Sequence, residues 1–334
     1  MKKLIALLVV AAMITGMLFA QGASEGEAAT AAKKGELTIY SAASQAEAEK
    51  LTEAFNKIHP EIKVTIISAG SGDIVTRIKT EWPKPDGDVV LLLGAENLDQ
   101  VYDMLAEYKS ANHDAIDPDN RDQKSATPKY YGTSMPLQAI MINTNIFKNG
   151  DGPKSWKDLG DPKYKGQLVL ANPASSGSAY AQLYMMNKLY GMDFVKTVVA
   201  NATYVASSTA GPDSVARGEY GITVTGEFNI ANKIAAGDPV AYVLPEEGTG
   251  RRIEGSAILA NCKNPESAKL FIDFMTSPEG FEVVRSECNR RAASTNAAAP
   301  NNLPALKDMK FFTYDAVEAK TIKKKLVSEF QGLL

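Results

Sequence analysis

The sequence predicts an α/β fold made of two sheet-and-helix lobes with a cleft between them. Three observations carry this. Short β-rich runs alternate with helical stripes in β-α-β-α-β order between residues 37 and 93. The run Asp88–Leu93 (DVVLLL) is almost continuously apolar, as expected of a strand covered on both faces. The chain has 334 residues, room for roughly two domains of about 100–200 residues each.

Each element has its own signal. Leu37–Tyr40 is a strand run. Ser44 with Glu47 three residues later forms a capping box, and Ala48, Leu51, Phe55 and Ile58 then share one helix face. Pro60 follows the helix end, and Ile62–Ile67 (IKVTII) is the next strand. A helix from about Ser71 carries Ile74, Ile78 and Trp82 on one stripe. The middle of the chain repeats the logic, with strands at Gln167–Ala171, Tyr220–Thr225 and Val240–Leu244. Helices are expected from Ser175–Ser178 onward, at Asp213–Gly218 and at Phe228–Ala236. Asn264-Pro265 and Ser277-Pro278 start two more, each with a cap residue followed by proline at the first helical position. The tail from about Leu306 is lysine-rich and helical.

The N-terminus is an address. Lys2 and Lys3 precede an apolar run from Leu4 to Ile14, Gly16 breaks it, and Ala20 supplies a small residue for cleavage. Residues 1–20 are therefore expected to be a cleaved signal peptide that exports the chain. Residues 21–35, small, polar and charged, are a flexible leader. An uncleaved anchor is the other reading, but the apolar stretch is short for a membrane span.

Composition excludes other roles. With 36 basic and 39 acidic side chains the formal charge is −3, which offers no basic excess for nucleic acid. Two histidines (His59, His113) and two cysteines (Cys262, Cys288) are too dispersed for a zinc site, and no metal or other cofactor is expected. The two cysteines are equally compatible with a disulfide or with two thiols. No P-loop and no G-x-S-x-G elbow occurs, and a secreted enzyme such as a phosphatase would need a nucleophile or metal cluster that the sequence does not offer, so no enzyme activity is expected. His59 precedes Pro60 at a helix end, and His113 falls in a polar loop. Tyr130-Tyr131 suits packing or ligand stacking. Arg290-Arg291 suits an anion clamp or a solvated helix end.

The informative feature is a set of serine-rich turns. Ser41-Ala42-Ala43-Ser44, Ser68-Ala69-Gly70-Ser71-Gly72 and Ser175-Ser176-Gly177-Ser178 each join a strand to a helix. Free N–H groups and the helix dipole favour an anion there, and serine hydroxyls add donors. Plain capping is the alternative for any one turn. Two turns come from the first lobe and one from the second, so an anion could bridge the lobes.

Four segments carry a family resemblance: LTIYSAASQAEAEKLTEAF, SAGSGDIVTRIKTEWPKPDGDVV, NPASSGSAYAQLYMMNKLYG and GPDSVARGEYGITVTGEFNIANKIAAGDPVAYVLPEEGTG. A fifth, ILANCKNPESAKLFIDFMTSPEGFEVV, resembles the late strand and helices of the same family. The chain resembles periplasmic solute-binding proteins of ABC importers, in the branch that includes ferric-iron, phosphonate, sugar-phosphate and phosphoglycerate binders. The resemblance spans most of residues 36–334. It implies a type II periplasmic binding fold, each lobe a mixed, mostly parallel sheet flanked by helices. Lobe I is expected at 36–135 plus 253–300, and lobe II at 136–252 plus 301–334. It also implies a monomer that delivers an anionic small-molecule solute to an inner-membrane permease with a cytoplasmic ATPase.

Ferric binders of this branch carry an adjacent tyrosine pair. The matching stretch here reads Val224-Thr225-Gly226-Glu227-Phe228-Asn229, without it. The turns resemble those of phosphorylated-solute binders instead. Ser41, Ser44, Ser68, Ser71, Gly72, Ser175, Ser176, Gly177 and Ser178 are thus expected around a phosphate or phosphonate. Glu227 and Glu246 are expected to accept hydrogen bonds from the rest of the solute. A ferric-ion receptor with an atypical ligand set is the alternative.

Overall fold

A computed structural model describes residues 35–293 and 298–334. The expected signal peptide and nearly all of the expected leader lie outside the described residues. The chain opens with β1 (Gly35–Ser41), α1 (Gln45–Ile58), β2 (Ile62–Ser68), α2 (Ser71–Glu81), β3 (Val89–Gly94) and the short α3 (Ala95–Leu98). The capping box at Ser44 and Glu47 forms as the sequence dictates. The strand β4 (Tyr131–Ser134) leads directly into β5 (Gln138–Asn143). Then come β6 (Leu168–Ala171), α4 (Gly177–Asn201), β7 (Ala202–Val205), α5 (Ala210–Ala216), β8 (Ile222–Gly226), α6 (Glu227–Ala235) and β9 (Val240–Val243). The short β10 (Thr249–Gly250) precedes β11 (Glu254–Ile258), α7 (Pro265–Met275) and α8 (Pro278–Ser286). The chain ends with β12 (Phe311–Phe312) and α9 (Ala316–Gln331).

Ten of the twelve described strands form two five-stranded sheets with the same logic, and β10 pairs with β12. The first has order β2-β1-β3-β11-β4, and the second β7-β6-β8-β5-β9. In each, three strands pair in parallel, as Ile39 with Ile66 and Leu168 with Ala202. A fourth strand then runs antiparallel to both its neighbours: β11 in the first sheet and β5 in the second. Both antiparallel strands follow short connections out of the other sheet's neighbourhood, β4 to β5 and β10 to β11. The reversal therefore comes from crossing between lobes, which a pattern of local β-α-β units cannot reveal. Sequence repetition is absent, yet the topology repeats.

Some element limits differ from expectation. The helix predicted at Asp213–Gly218 begins earlier, at Ala210. The tail is a 3-10 turn at Leu306–Asp308, and its helix starts only at Ala316, where Asp315 caps the N–H groups of Val317 and Glu318. Cys262 and Cys288 are both free thiols. Burial pushes the Cys262 thiol up to about 11 and the Cys288 thiol up to about 12.

Each lobe has its own core. In the first, Leu51 and Phe55 of α1 pack under β1 with Phe271 of α7. In the second, Trp156, Tyr180 and Tyr184 lie beneath β6 and β8. Leu51 is fully buried. Leu51→Ala is expected to cost about 2–5 kcal/mol, the range for emptying a leucine-sized core site. Urea denaturation of the variant checks this, and a loss well below that range would mean that the core collapses around the gap.

Candidate ligand-binding cleft

The two sheets present the C-terminal ends of their parallel strands to one another, and the turns that leave those ends meet across a cavity of about 410 Å³. That is within the usual size of small-molecule sites. From the first lobe, Ser44, Gln45 and Glu47 line it at the start of α1. Ser68, Ala69, Gly70, Ser71 and Asp73 line it at the start of α2. From the second lobe, Ser175, Ser176, Gly177 and Ser178 line it at the start of α4, and Phe228 at the start of α6. A further turn, Ala206-Ser207-Ser208-Thr209, closes the side.

The first N–H groups of a helix have no intrahelical partner. The α2 helix makes no side-chain cap, because Gly70 stands at the cap position. The α4 cap is Ser176, whose Oγ accepts the N–H of Ala179 at 3.2 Å. The cavity thus collects the positive ends of several helices.

The hydroxyls are already partly committed. Ser44 Oγ donates to Glu47 Oε2 at 2.8 Å and accepts the Glu47 N–H, so its proton points away from a ligand. Ser175 Oγ donates to the Ala206 carbonyl at 2.7 Å, tying two cavity turns together. Ser68 Oγ donates to Gln45 Oε1 at 3.1 Å.

One wall is a chain of buried charges. Arg290 Nε donates to Glu47 Oε1 at 2.6 Å, and its Nη1 to Glu254 Oε2 at 2.7 Å. Arg252 Nη1 donates to the other oxygen of Glu254 at 2.7 Å, and its Nη2 to Glu96 Oε1 at 3.0 Å. Asn97 donates to the same Glu96 oxygen and accepts from Lys323 of α9. The Arg290 guanidinium also stacks on Phe228, 3.6 Å from the ring centre. Burial pushes the Glu47 carboxyl up, but Arg290 and the Ser44 hydrogen bonds outweigh it and hold the group below the ordinary carboxylate range. Burial lowers the Lys323 ammonium's proton affinity.

Four expected site residues do not line the cavity. Ser41 is fully buried, and its Oγ closes the local turn by accepting the Ala43 N–H. Gly72 packs against the backbone of Ala174. Glu227 is fully buried because Arg291 Nε pairs with it at 2.6 Å, and its burial raises the carboxyl above the usual range. Glu246 is exposed on the surface. The other seven, Ser44, Ser68, Ser71, Ser175, Ser176, Gly177 and Ser178, come together.

Sequence reading passed over Ser207–Thr209, although the same signal was present: small hydroxyl residues between a strand and a helix. It also passed over Glu47, Asp73, Phe228 and Glu254. Arg290 and Arg291 are neither a free clamp nor solvated, since both are buried in ion pairs. Tyr131 packs, accepting the Ser110 N–H at 3.0 Å and facing His113 Nδ1 at 3.0 Å. Neither tyrosine of that pair lines the cavity.

Comparison with known proteins matches this architecture. Residues 100–320 match the family model of bacterial extracellular solute-binding proteins. The chain belongs to that family. An uncharacterized protein of Haemophilus influenzae is 30% identical over 315 residues, 90% of each chain. A probable ABC transporter periplasmic-binding protein, y4fP of Sinorhizobium fredii, is 24% identical over 344 residues, covering 94% of this chain and 90% of that one. The periplasmic binding protein AfuA of Actinobacillus pleuropneumoniae, solved with exogenous fructose-6-phosphate bound, superposes with a TM-score of 0.81 at 29% identity. It covers 90% of this chain and 98% of its own. Iron-bound HitA of Pseudomonas aeruginosa shares the fold, with a TM-score of 0.78 at 19% identity, over 90% of this chain and 99% of its own.

Proposed function

We propose that this protein is the extracytoplasmic substrate-binding component of an ABC importer, and that its cleft captures a small phosphorylated or phosphonate organic solute for delivery to a permease driven by a cytoplasmic ATPase. The observation that carries the reading is the convergence of the α1, α2 and α4 starts, with the Ser207–Thr209 turn, on one cavity. The uncapped start of α2, with the N–H groups left over in the first turns of α1 and α4, can hold a phosphate without a basic side chain. The one arginine of the lining, Arg290, has its charge matched by Glu47 and Glu254. Those carboxylates, and Ser44 with its proton turned away, form a wall that accepts hydrogen bonds. A bare inorganic anion is poorly served there, whereas an organic body bearing hydroxyls or an amine fits. AfuA, solved with a sugar phosphate, supports this solute class. A ferric site is less well supported, because among the described residues no tyrosine or histidine lines the cavity.

Thermal unfolding against fructose-6-phosphate, phosphonates, phosphoglycerates, thiamine phosphate and ferric iron tests the reading. A ligand at 100 times its dissociation constant adds about 2.7 kcal/mol of stability. At least one phosphorylated compound is expected to shift the melt. If none does, or if iron alone does and a visible charge-transfer band develops, the solute class is wrong.

A further inference from the structure

Three glycines face the opposite lobe where the α2 and α4 starts meet. A Cβ on Gly70 would stand 2.6 Å from the carbonyl oxygen of Ser175, and one on Gly72 2.7 Å from that of Ala174. A Cβ on Gly177 would stand 2.7 Å from Ser71 Oγ. Contacts under 3.0 Å force something to move, and ordinary contact begins near 3.4 Å. The Ser71 hydroxyl can rotate away from a new methyl group. The two carbonyls cannot, because they belong to the backbone turn that caps α4. Backbone conformation does not call for glycine at these sites. Gly70 has φ −62° and ψ 148°, open to any residue, and neither Gly72 nor Gly177 has a left-handed φ. At Gly72, inside the first turn of α2, alanine is the better helix former, whereas at the Gly70 cap position it is not. What glycine supplies is space for the other lobe.

We propose that Gly70 and Gly72 are positioning residues for lobe closure: their missing side chains let the two turns come into backbone contact, and any side chain there holds the cleft ajar. Gly72, which does not line the cavity, would act on solute affinity without touching the solute, through the fraction of molecules able to close.

The test needs no ligand. The Ala174–Ser175 backbone lies against Gly70 and Gly72, so Ser71→Cys and Ser175→Cys place two thiols on turns that touch here and that, on this proposal, part when the cleft opens. A short bis-maleimide joins them, with single-cysteine controls correcting for Cys262 and Cys288. Gly72→Ala in this background is expected to slow cross-linking at least tenfold, with the thermal midpoint held or raised. Gly70→Ala should slow cross-linking alike, with a lower thermal midpoint because alanine is a poor cap, while Thr76→Ala, exposed one turn along α2, should leave the rate unchanged. Equal rates with and without the glycine substitutions overturn the proposal. So does a parent pair that never cross-links, since the turns then do not meet. A Gly72→Ala protein that fails to fold leaves Gly70→Ala to decide. Because no solute enters the assay, the outcome is separable from the phosphate reading.

Discussion

Arg290→Met is expected to cost about 3–5 kcal/mol at neutral pH, the range for removing one partner of a buried ion pair. The cause is not the lost packing of one side chain. Glu47, nearly buried, would keep its charge without a counterion, and Glu254 would be left with Arg252 alone. Urea denaturation measures the loss directly, and acid supplies a second reading. In the native protein Arg290 and Ser44 hold the Glu47 carboxyl below its ordinary range. A depressed carboxyl stabilises the fold above its unfolded pKa, and that contribution disappears as pH falls through the folded value. In the variant the same carboxyl is raised instead, so protonation relieves it. The stability gap between the two proteins is therefore expected to be wide at pH 7 and to narrow in acid. A variant within about 1 kcal/mol of the parent at pH 7 would mean that water reaches the wall and that the charges are not truly buried.

Ser178→Asp is expected to abolish binding of phosphorylated solutes while leaving the fold intact or slightly stabilised. The two effects have opposite signs from a single charge. Ser178 lies in the first turn of α4, where an acidic side chain interacts favourably with the helix dipole. It also lines the cavity, where a carboxylate would face the phosphate. At about 5 Å and an effective dielectric of about 20, repulsion comes to roughly 3 kcal/mol per unit charge. That corresponds to a loss of a hundredfold or more in affinity. Calorimetric titration with fructose-6-phosphate, beside a thermal melt without ligand, separates the two. An unchanged dissociation constant would place the phosphate elsewhere in the cleft.

The parts of this molecule that were legible in its sequence are those governed by neighbours along the chain. The capping box at Ser44 and Glu47, the buried strand DVVLLL and the serine turns at helix starts all follow from local chemistry. The antiparallel strands β5 and β11 were not legible as such, because their direction depends on where the chain crosses between lobes. The candidate site divides in the same way. Seven turn residues converge because strand-to-helix junctions point to one end of a sheet. The pairing of Glu227 is invisible in sequence because its partner, Arg291, is 64 residues away. A carboxylate looks alike in sequence whether it awaits a solute or is held by an arginine. Gly72 was read as a ligand contact, since a glycine beside serines in a turn suits a phosphate. Its actual neighbour, Ala174, belongs to the other lobe and only the fold brings it close.

The run of alternating charges from Glu47 through Arg290, Glu254 and Arg252 to Glu96 also bears on heat. Withdrawing ions from water becomes less costly as temperature rises, whereas apolar stabilisation per unit area levels off. A wall held by ion pairs should therefore soften later on warming than the aliphatic layers behind it.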